Sequence, residues 1–388
     1  MNKALLWRLT KRALQLLFGA LLLFSLLVLV DGWTAFGKHA TGARLLRMQH
    51  SPQYRGGHFV NPQPLYNDYG GMLAGMWHAS DYVNPDAPVH VAALAANAFL
   101  TPPASGLRVT WFGHSSMLLE IDGKRILTDP MWSERASPLS WLGPRRFYPP
   151  LLALEDLPKL DAVVISHDHY DHLDYRSITR LNALGVKFVV PLGVGAHLEY
   201  WGVPPERIIE LDWWERAELS GLTIVATPAR HASGRFLLDK DATLWAGYAF
   251  LGERHRAYYS GDTGLFPALR EIGAKLGPFD VTMIETGQYH RAWPDWHSGP
   301  EQAVRAHQLV RGEVMLPVHW ALLGLALHGW TEPVERSLVA ADKRQALLVT
   351  PRPGEPFEPT THPHFARWWP NLPWQTAAEH PIVSTNAE

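Results

Sequence analysis

A chain of 388 residues with 47% hydrophobic content can bury the core of one large or two ordinary domains, which excludes disorder for most of its length. Its formal net charge of −2 leaves no basic surplus, so no nucleic-acid partner is expected. With no cysteine, disulfides and thiolate metal sites are excluded, and any metal must rest on histidine and carboxylate.

Lys3, Arg8, Lys11 and Arg12 precede an uncharged, leucine-rich run from Ala13 to Val30. At 1.5 Å per residue this run is about 27 Å long, close to the thickness of a hydrocarbon core. Residues 1–31 are therefore expected to form a single-pass membrane anchor, with 13–30 in the bilayer. Asp31-Gly-Trp-Thr-Ala-Phe offers no small-x-small cleavage site, which disfavours a removable signal peptide. The basic start predicts a bacterial inner-membrane protein whose catalytic domain is periplasmic, although Lys38, Arg44 and Arg47 weaken the charge bias.

Residues 32–105 are rich in Gly, Pro, Asn and His with little periodicity, and read as an irregular lead-in segment. Residues 106–350 carry the regular elements. Arg108-Val-Thr-Trp-Phe, Ser116 to Ile121 and Arg125 to Thr128 predict an antiparallel meander turning at Asp122-Gly123. Strand patterns follow at 162–165, 187–190, 207–211, 222–227, 245–251, 257–260, 281–284 and 314–318. Helical patterns lie at 175–184, 193–201, 267–275, 300–310 and 332–341. This alternation predicts an α/β domain of two sheets flanked by helices. Residues 351–388 form a Pro-rich tail whose Trp368, Trp369 and Trp374 suit an extended strap.

Directly after the apolar run Ala162 to Ile165 stands Ser166-His167-Asp168-His169-Tyr170-Asp171-His172, which crowds three imidazoles and two carboxylates into a few residues of backbone. Such a cluster at the mouth of a buried strand reads as a metal site. Further residues of ligand type follow later strands: His231, Asp262 and His319. Singly, each also fits a turn residue or a satisfied core histidine. As an ordered set they point to metal.

Thr110-Trp-Phe-Gly-His-Ser-Ser, Leu127-Thr-Asp-Pro, Gly143-Pro-Arg-Arg-Phe, the histidine cluster, Leu211-Asp-Trp-Trp-Glu, Pro228-Ala-Arg-His-Ala-Ser-Gly-Arg and Ser260-Gly-Asp-Thr-Gly narrow the reading. Over residues 45–340 the chain resembles the metallo-β-lactamase superfamily, in the branch of N-acyl-phosphatidylethanolamine phospholipase D and bacterial RomA-like and OutA-like zinc hydrolases. The resemblance implies an αβ/βα sandwich and two Zn²⁺ per chain, with Mn²⁺ or Fe²⁺ as alternatives. It assigns His167, His169 and His231 to the first metal, Asp171, His172 and His319 to the second, and Asp262 to a bridge. Paired cations of this kind generate a hydroxide and stabilise charge on the electrophile. Asp171 and Asp262 would then be catalytic as well as ligating. Asp129 is placed to accept from the free ring nitrogen of a ligand histidine, and His114 suits similar work or a polar pocket. His297 and His328, in loops beyond Asp262 and His319, are candidates to protonate a leaving group.

The expected activity is a membrane-anchored phosphodiesterase acting on a phospholipid, with lactone or β-lactam ring hydrolysis, or binding without catalysis, as alternatives. His319-Trp-Ala-Leu-Leu and Glu285-Thr-Gly-Gln-Tyr depart from the pattern of relatives beside the presumed cleft, so the metals carry over better than the substrate. The abundant tryptophans fit core packing before they fit an acyl-lined mouth.

Overall fold

The computed structural model describes residues 3–236 and 238–387. Its first element, α1 (Lys3–Phe36), is a 34-residue helix, roughly 51 Å long, and none of its most apolar window is buried. Where the sequence predicts an irregular segment, the chain instead forms α2 (Gly42–Gln49), the hairpin β1 (Tyr54–Arg55) and β2 (His58–Phe59), and α3 (Tyr69–Met76). Helix α3 holds three glycines and no amphipathic pattern, so its sequence conceals it. The Asp68 side chain caps it by accepting from Gly71 N, and Asp68 N donates to Ala292 O.

The body is a sandwich. Its first sheet contains β3 (Leu107–Gly113), β4 (Ser116–Ile121), β5 (Lys124–Thr128), β6 (Ala162–Val164), β7 (Phe188–Pro191) and β8 (Ile208–Leu211), with α4 (Tyr175–Ala183) and α5 (Gly195–Tyr200) in the connections. The second contains β9 (Arg216–Glu218), β10 (Thr223–Thr227), β11 (Gly247–Leu251), β12 (Arg256–Tyr259), β13 (Phe279–Glu285), β14 (Gly312–Val318) and β15 (Leu347–Leu348), with α6 (Ala268–Leu276), α7 (Pro300–Leu309) and α8 (Glu332–Arg344). A short strand from the tail, β16 (Pro356–Phe357), completes the first sheet beside β3. Both sheets are mixed: antiparallel from β3 to β5 and from β9 to β12, parallel beyond.

Alternation along each strand sorts the side chains into layers, because successive residues face opposite sides of a sheet. Leu119, Ile126, Val164, Ile224, Tyr248 and Leu316 meet between the sheets. Their neighbours Leu118, Leu127 and Val163 pack with Ile178, Leu181 and Leu198 on the first sheet's outer face, and Val225, Ala249 and Met315 with Leu269, Ile272 and Ala303 on the second's. Strands covered on both faces read as continuous apolar runs, as Ala162 to Ile165 does. The tail packs its tryptophans: Trp368 stacks on Trp320 at 5.3 Å and donates Nε1–H to Thr350 O.

Candidate metal centre

Segments leaving β3, β5, β6, β10, β12 and β14 converge on one rim of the sandwich and supply His114, Asp129, the 166–172 turn, His231, Asp262 and His319. Two of these strand ends are tied across the sheets, since His319 N donates to His114 O and His114 N to Trp320 O. His114, Asp129 and His319 have φ of 51°, 35° and 66°, a left-handed conformation that non-glycine residues adopt at a cost. The cross-ties hold it at His114 and His319, and a hydrogen bond from Asp129 N to Val164 O holds it at Asp129.

His167, His169 and His231 form one knot. His167 Nε2 lies 2.8 Å from His169 Nδ1, which is 3.3 Å from His231 Nε2. Asp171, His172 and His319 form a second knot with His114, whose Nε2 is 2.8 Å from Asp171 Oδ2. Asp262 stands between the two. Its Oδ2 is 3.1 Å from His172 Nε2 and 3.7 Å from His231 Nε2, while Oδ1 is 3.1 Å from His319 Nδ1. The seven residues named for the metals are thus brought together, with His114 as an eighth member.

Burial holds the imidazoles of His167, His231 and His319 well below their ordinary range, so these rings are neutral and offer lone pairs. Burial alone would lower His172 too, but Asp262 and Asp171 outweigh it and hold its ring well above the ordinary value. Burial would raise the carboxyls of Asp171 and Asp262, but the imidazoles around them outweigh it and hold both well below the usual range, so the two carboxylates bring the negative charge that draws in a cation. Among the described residues, His172 Nε2, His319 Nε2 and Asp262 Oδ1 are buried without a hydrogen bond, as atoms reserved for a cation would be. Imidazole and carboxylate without thiolate suit Zn²⁺, Mn²⁺ or Fe²⁺, and the residues present fit such ions.

Around the cluster the ring nitrogens are steered. Asp129 Oδ2 accepts from His172 Nδ1 at 2.7 Å and from Tyr259 Oη at 2.5 Å, and Oδ1 accepts from Ser166 N. His231 Nδ1 donates to Trp296 O at 2.8 Å, and His319 Nδ1 is 3.1 Å from Ser115 Oγ. Such partners fix the orientation of a ligating ring. Glu285, last residue of β13, opens a segment that the sequence places beside the cleft without assigning it a role. Its carboxylate accepts from Ser298 N and Thr263 N and holds His297 Nδ1 at 2.9 Å. Its position at a strand end, like that of the other cluster residues, was the available signal. Burial would lower His297, but Glu285 outweighs it and raises the ring above its ordinary value.

His328 stands apart, against expectation. Its Nε2 accepts from Gln288 N at 2.9 Å, its Nδ1 donates to Gly329 O, and its ring stacks on Tyr289. With both nitrogens engaged in hydrogen bonds within the fold, it braces the loop after β13. His297 does face the cleft, a cavity of about 520 Å³ lined by His169, Asp171, Asp262 and His319 and walled by Tyr69, Met72, Trp293, Trp296 and Leu325. Lys240 lies at this cavity with its Nζ over the Trp296 ring.

The beta-lactamase superfamily domain model matches residues 124–320. An uncharacterised protein of Mycobacterium tuberculosis is 47% identical over 342 residues, covering 86% of this chain and 91% of the relative. The N-acyl-phosphatidylethanolamine-hydrolyzing phospholipase D 1 of Caenorhabditis elegans is 39% identical over 259 residues, covering 63% of this chain and 73% of the relative. The fold is also that of an isothiocyanate hydrolase from Delia radicum gut bacteria, with a TM-score of 0.51 at 20% identity, over 65% of this chain and 98% of that one. On the family match, the extent of shared sequence and the shared sandwich, the chain belongs to the metallo-β-lactamase superfamily and is a metal-dependent hydrolase.

Proposed function

We propose that the protein is a membrane-anchored phosphodiesterase that cleaves a phospholipid of the N-acyl-phosphatidylethanolamine type on the head-group side of phosphorus. The observation that carries this reading is the cavity itself. Its floor is the histidine–aspartate cluster, its walls are Tyr69, Met72, Trp293, Trp296 and Leu325, and the wall helix α3 turns Leu73, Met76 and Trp77 outward to solvent. Apolar walls beside a charged floor suit a substrate with acyl chains and a phosphoryl group. The 39% identity to the worm phospholipase supports the same class.

His167, His169 and His231 would hold one Zn²⁺, and Asp171, His172 and His319 the other, with Asp262 shared. When bound, the pair supplies acidification of water and neutralisation of phosphoryl charge. The chain supplies the rest. Asp129 and Trp296 O hold ligand rings in place. His297, oriented by Glu285 at Nδ1, is the acid for the departing head-group oxygen. Lys240 gives a second positive group at the cavity for a lipid phosphate. Helix α1, with residues 13–30 in the bilayer, would hold the cleft beside its substrate, the body lying opposite the basic N-terminus in the periplasm.

The test is a panel of bis-p-nitrophenyl phosphate, N-acylated phosphatidylethanolamine, an acyl-homoserine lactone and a chromogenic cephalosporin, each with Zn²⁺ and with Mn²⁺. Turnover of both phosphodiesters is expected. Ring opening without phosphodiester cleavage would replace this reading with a lactonase or lactamase.

A further inference from the structure

Helix α1 does more than run alongside the body. Its last turn and the residues after it are seated on the back of the metal-ligand turn through three buried side chains. The last carbonyls of a helix have no partner within it and carry partial negative charge. Here they meet a guanidinium. Arg235, 4% exposed, donates from Nε and Nη2 to Ala35 O at 3.0 and 2.7 Å. From Nη1 the same side chain donates to Asp168 O at 2.6 Å and Leu173 O at 2.9 Å. Those two carbonyls bracket His169, Asp171 and His172. The planar fork of arginine is therefore clamped between the end of α1 and both ends of the ligand turn. It lies 4.1 Å from the Tyr170 ring centroid and 5.1 Å from that of Trp201.

Two further links run in parallel. Trp201, whose ring faces Arg235, donates Nε1–H to Thr34 O at 2.7 Å. His197 accepts from Lys38 N at Nδ1, and its Nε2 is 3.3 Å from Asp168 Oδ2. The Asp168 carboxylate also accepts from Gly234 N and Thr243 Oγ1. The exit turn can lie this close because residue 37 is glycine. Its φ is +81°, and a Cβ there would fall on the His197 ring.

We propose that Arg235 is a positioning residue that couples the exit turn of α1, residues 34–38, to the ligand turn 167–172, so that metal affinity depends on α1 being seated on the body. If the turn is unseated, Arg235 is left as a buried cation with two unpaired N–H donors. It then recovers partners only by shifting, and Asp168 O and Leu173 O shift with it. Because α1 is also the segment read as membrane-spanning, the anchor and the metal cluster are one mechanical unit. The inference rests on the metal reading of the cluster, and is independent of the substrate.

The test uses the full chain in detergent, with Zn²⁺ affinity measured by competition against a chromogenic chelator and apo-protein melting measured in parallel. Arg235→Lys removes the fork and keeps the charge, Gly37→Val unseats the exit turn, and Asp31→Asn weakens the contacts of α1 with Ser140 and Arg176, neither of which lies in the ligand turn. The first two are expected to weaken Zn²⁺ binding by about 10- to 100-fold, the range for groups that orient ligands, with apo melting lowered by less than that loss corresponds to and the apo chain still folded. Asp31→Asn should stay within about twofold of the parent on the same scale. Where Gly37→Val fails to accumulate, Arg235→Lys decides. Unchanged Zn²⁺ affinity, or an equal loss of apo stability, overturns the coupling. A parent chain that binds no Zn²⁺ would instead overturn the metal reading itself.

Discussion

At the scale of single residues, the proposed ligands and the proposed acid respond differently to substitution. Asp262 touches both knots, so Asp262→Ala should lose most bound Zn²⁺ and turnover while the circular dichroism spectrum is kept. An active, metal-replete Asp262→Ala would remove the shared position. His297→Gln, in contrast, should retain both metals and lose turnover by about 10²- to 10⁴-fold, the usual contribution of a positioned acid. Metal analysis beside the rate distinguishes the two substitutions. The ligand-type residues were legible because each follows an apolar run. His297 could be named only as a loop histidine, and Glu285 only as the start of a segment beside the cleft, with no role. What sets their roles is a 2.9 Å contact between residues on a strand end and in a loop, which no spacing announces. The same holds for His328, which shares its residue type with the ligands and is spent on Gln288 N.

At the scale of elements, the sandwich is pinned at both rims. Opposite the cluster, Asp122 in the β4–β5 turn accepts from Arg254 N, His255 N and His255 Nδ1 in the β11–β12 turn, at 2.8, 3.0 and 2.7 Å. Burial would raise the Asp122 carboxyl, but these donors outweigh it and hold it below the ordinary value. A carboxylate held low contributes stability that is complete above its unfolded pKa, about 3.9, and is lost as pH falls through its lower folded value. Asp122→Ala should therefore cost about 1–3 kcal/mol at pH 7, from donors left unpaired. In urea melts the gap to the parent should narrow below about pH 4. A gap independent of pH would show that the charge is not what pins the turns. Strand positions were readable from apolar runs and the Asp-Gly turn. Helix α3 was not, because its glycines carry no period and its N-cap and its anchorage to Ala292 O come from the fold.

Across the whole molecule, α1 and the catalytic rim belong to one assembly. The anchor reading predicts that the protein stays in the membrane fraction through an alkaline carbonate wash, and that protease added to spheroplasts digests the body. Protection until the inner membrane is breached would reverse the orientation. By itself the sequence determined the apolar N-terminal helix, the order of strands and helices, the superfamily and the ligand-type residues. All of these are written in local periodicity or in short motifs whose physics is complete within a few residues. Only the tertiary structure decided which histidine faces the cleft and which braces a loop, that α3 walls the cleft, and that Arg235 joins the end of α1 to the 167–172 turn. Those depend on contacts such as Ala35 with Arg235, two hundred residues apart in sequence, which form only once two sheets and a helix have closed on one another.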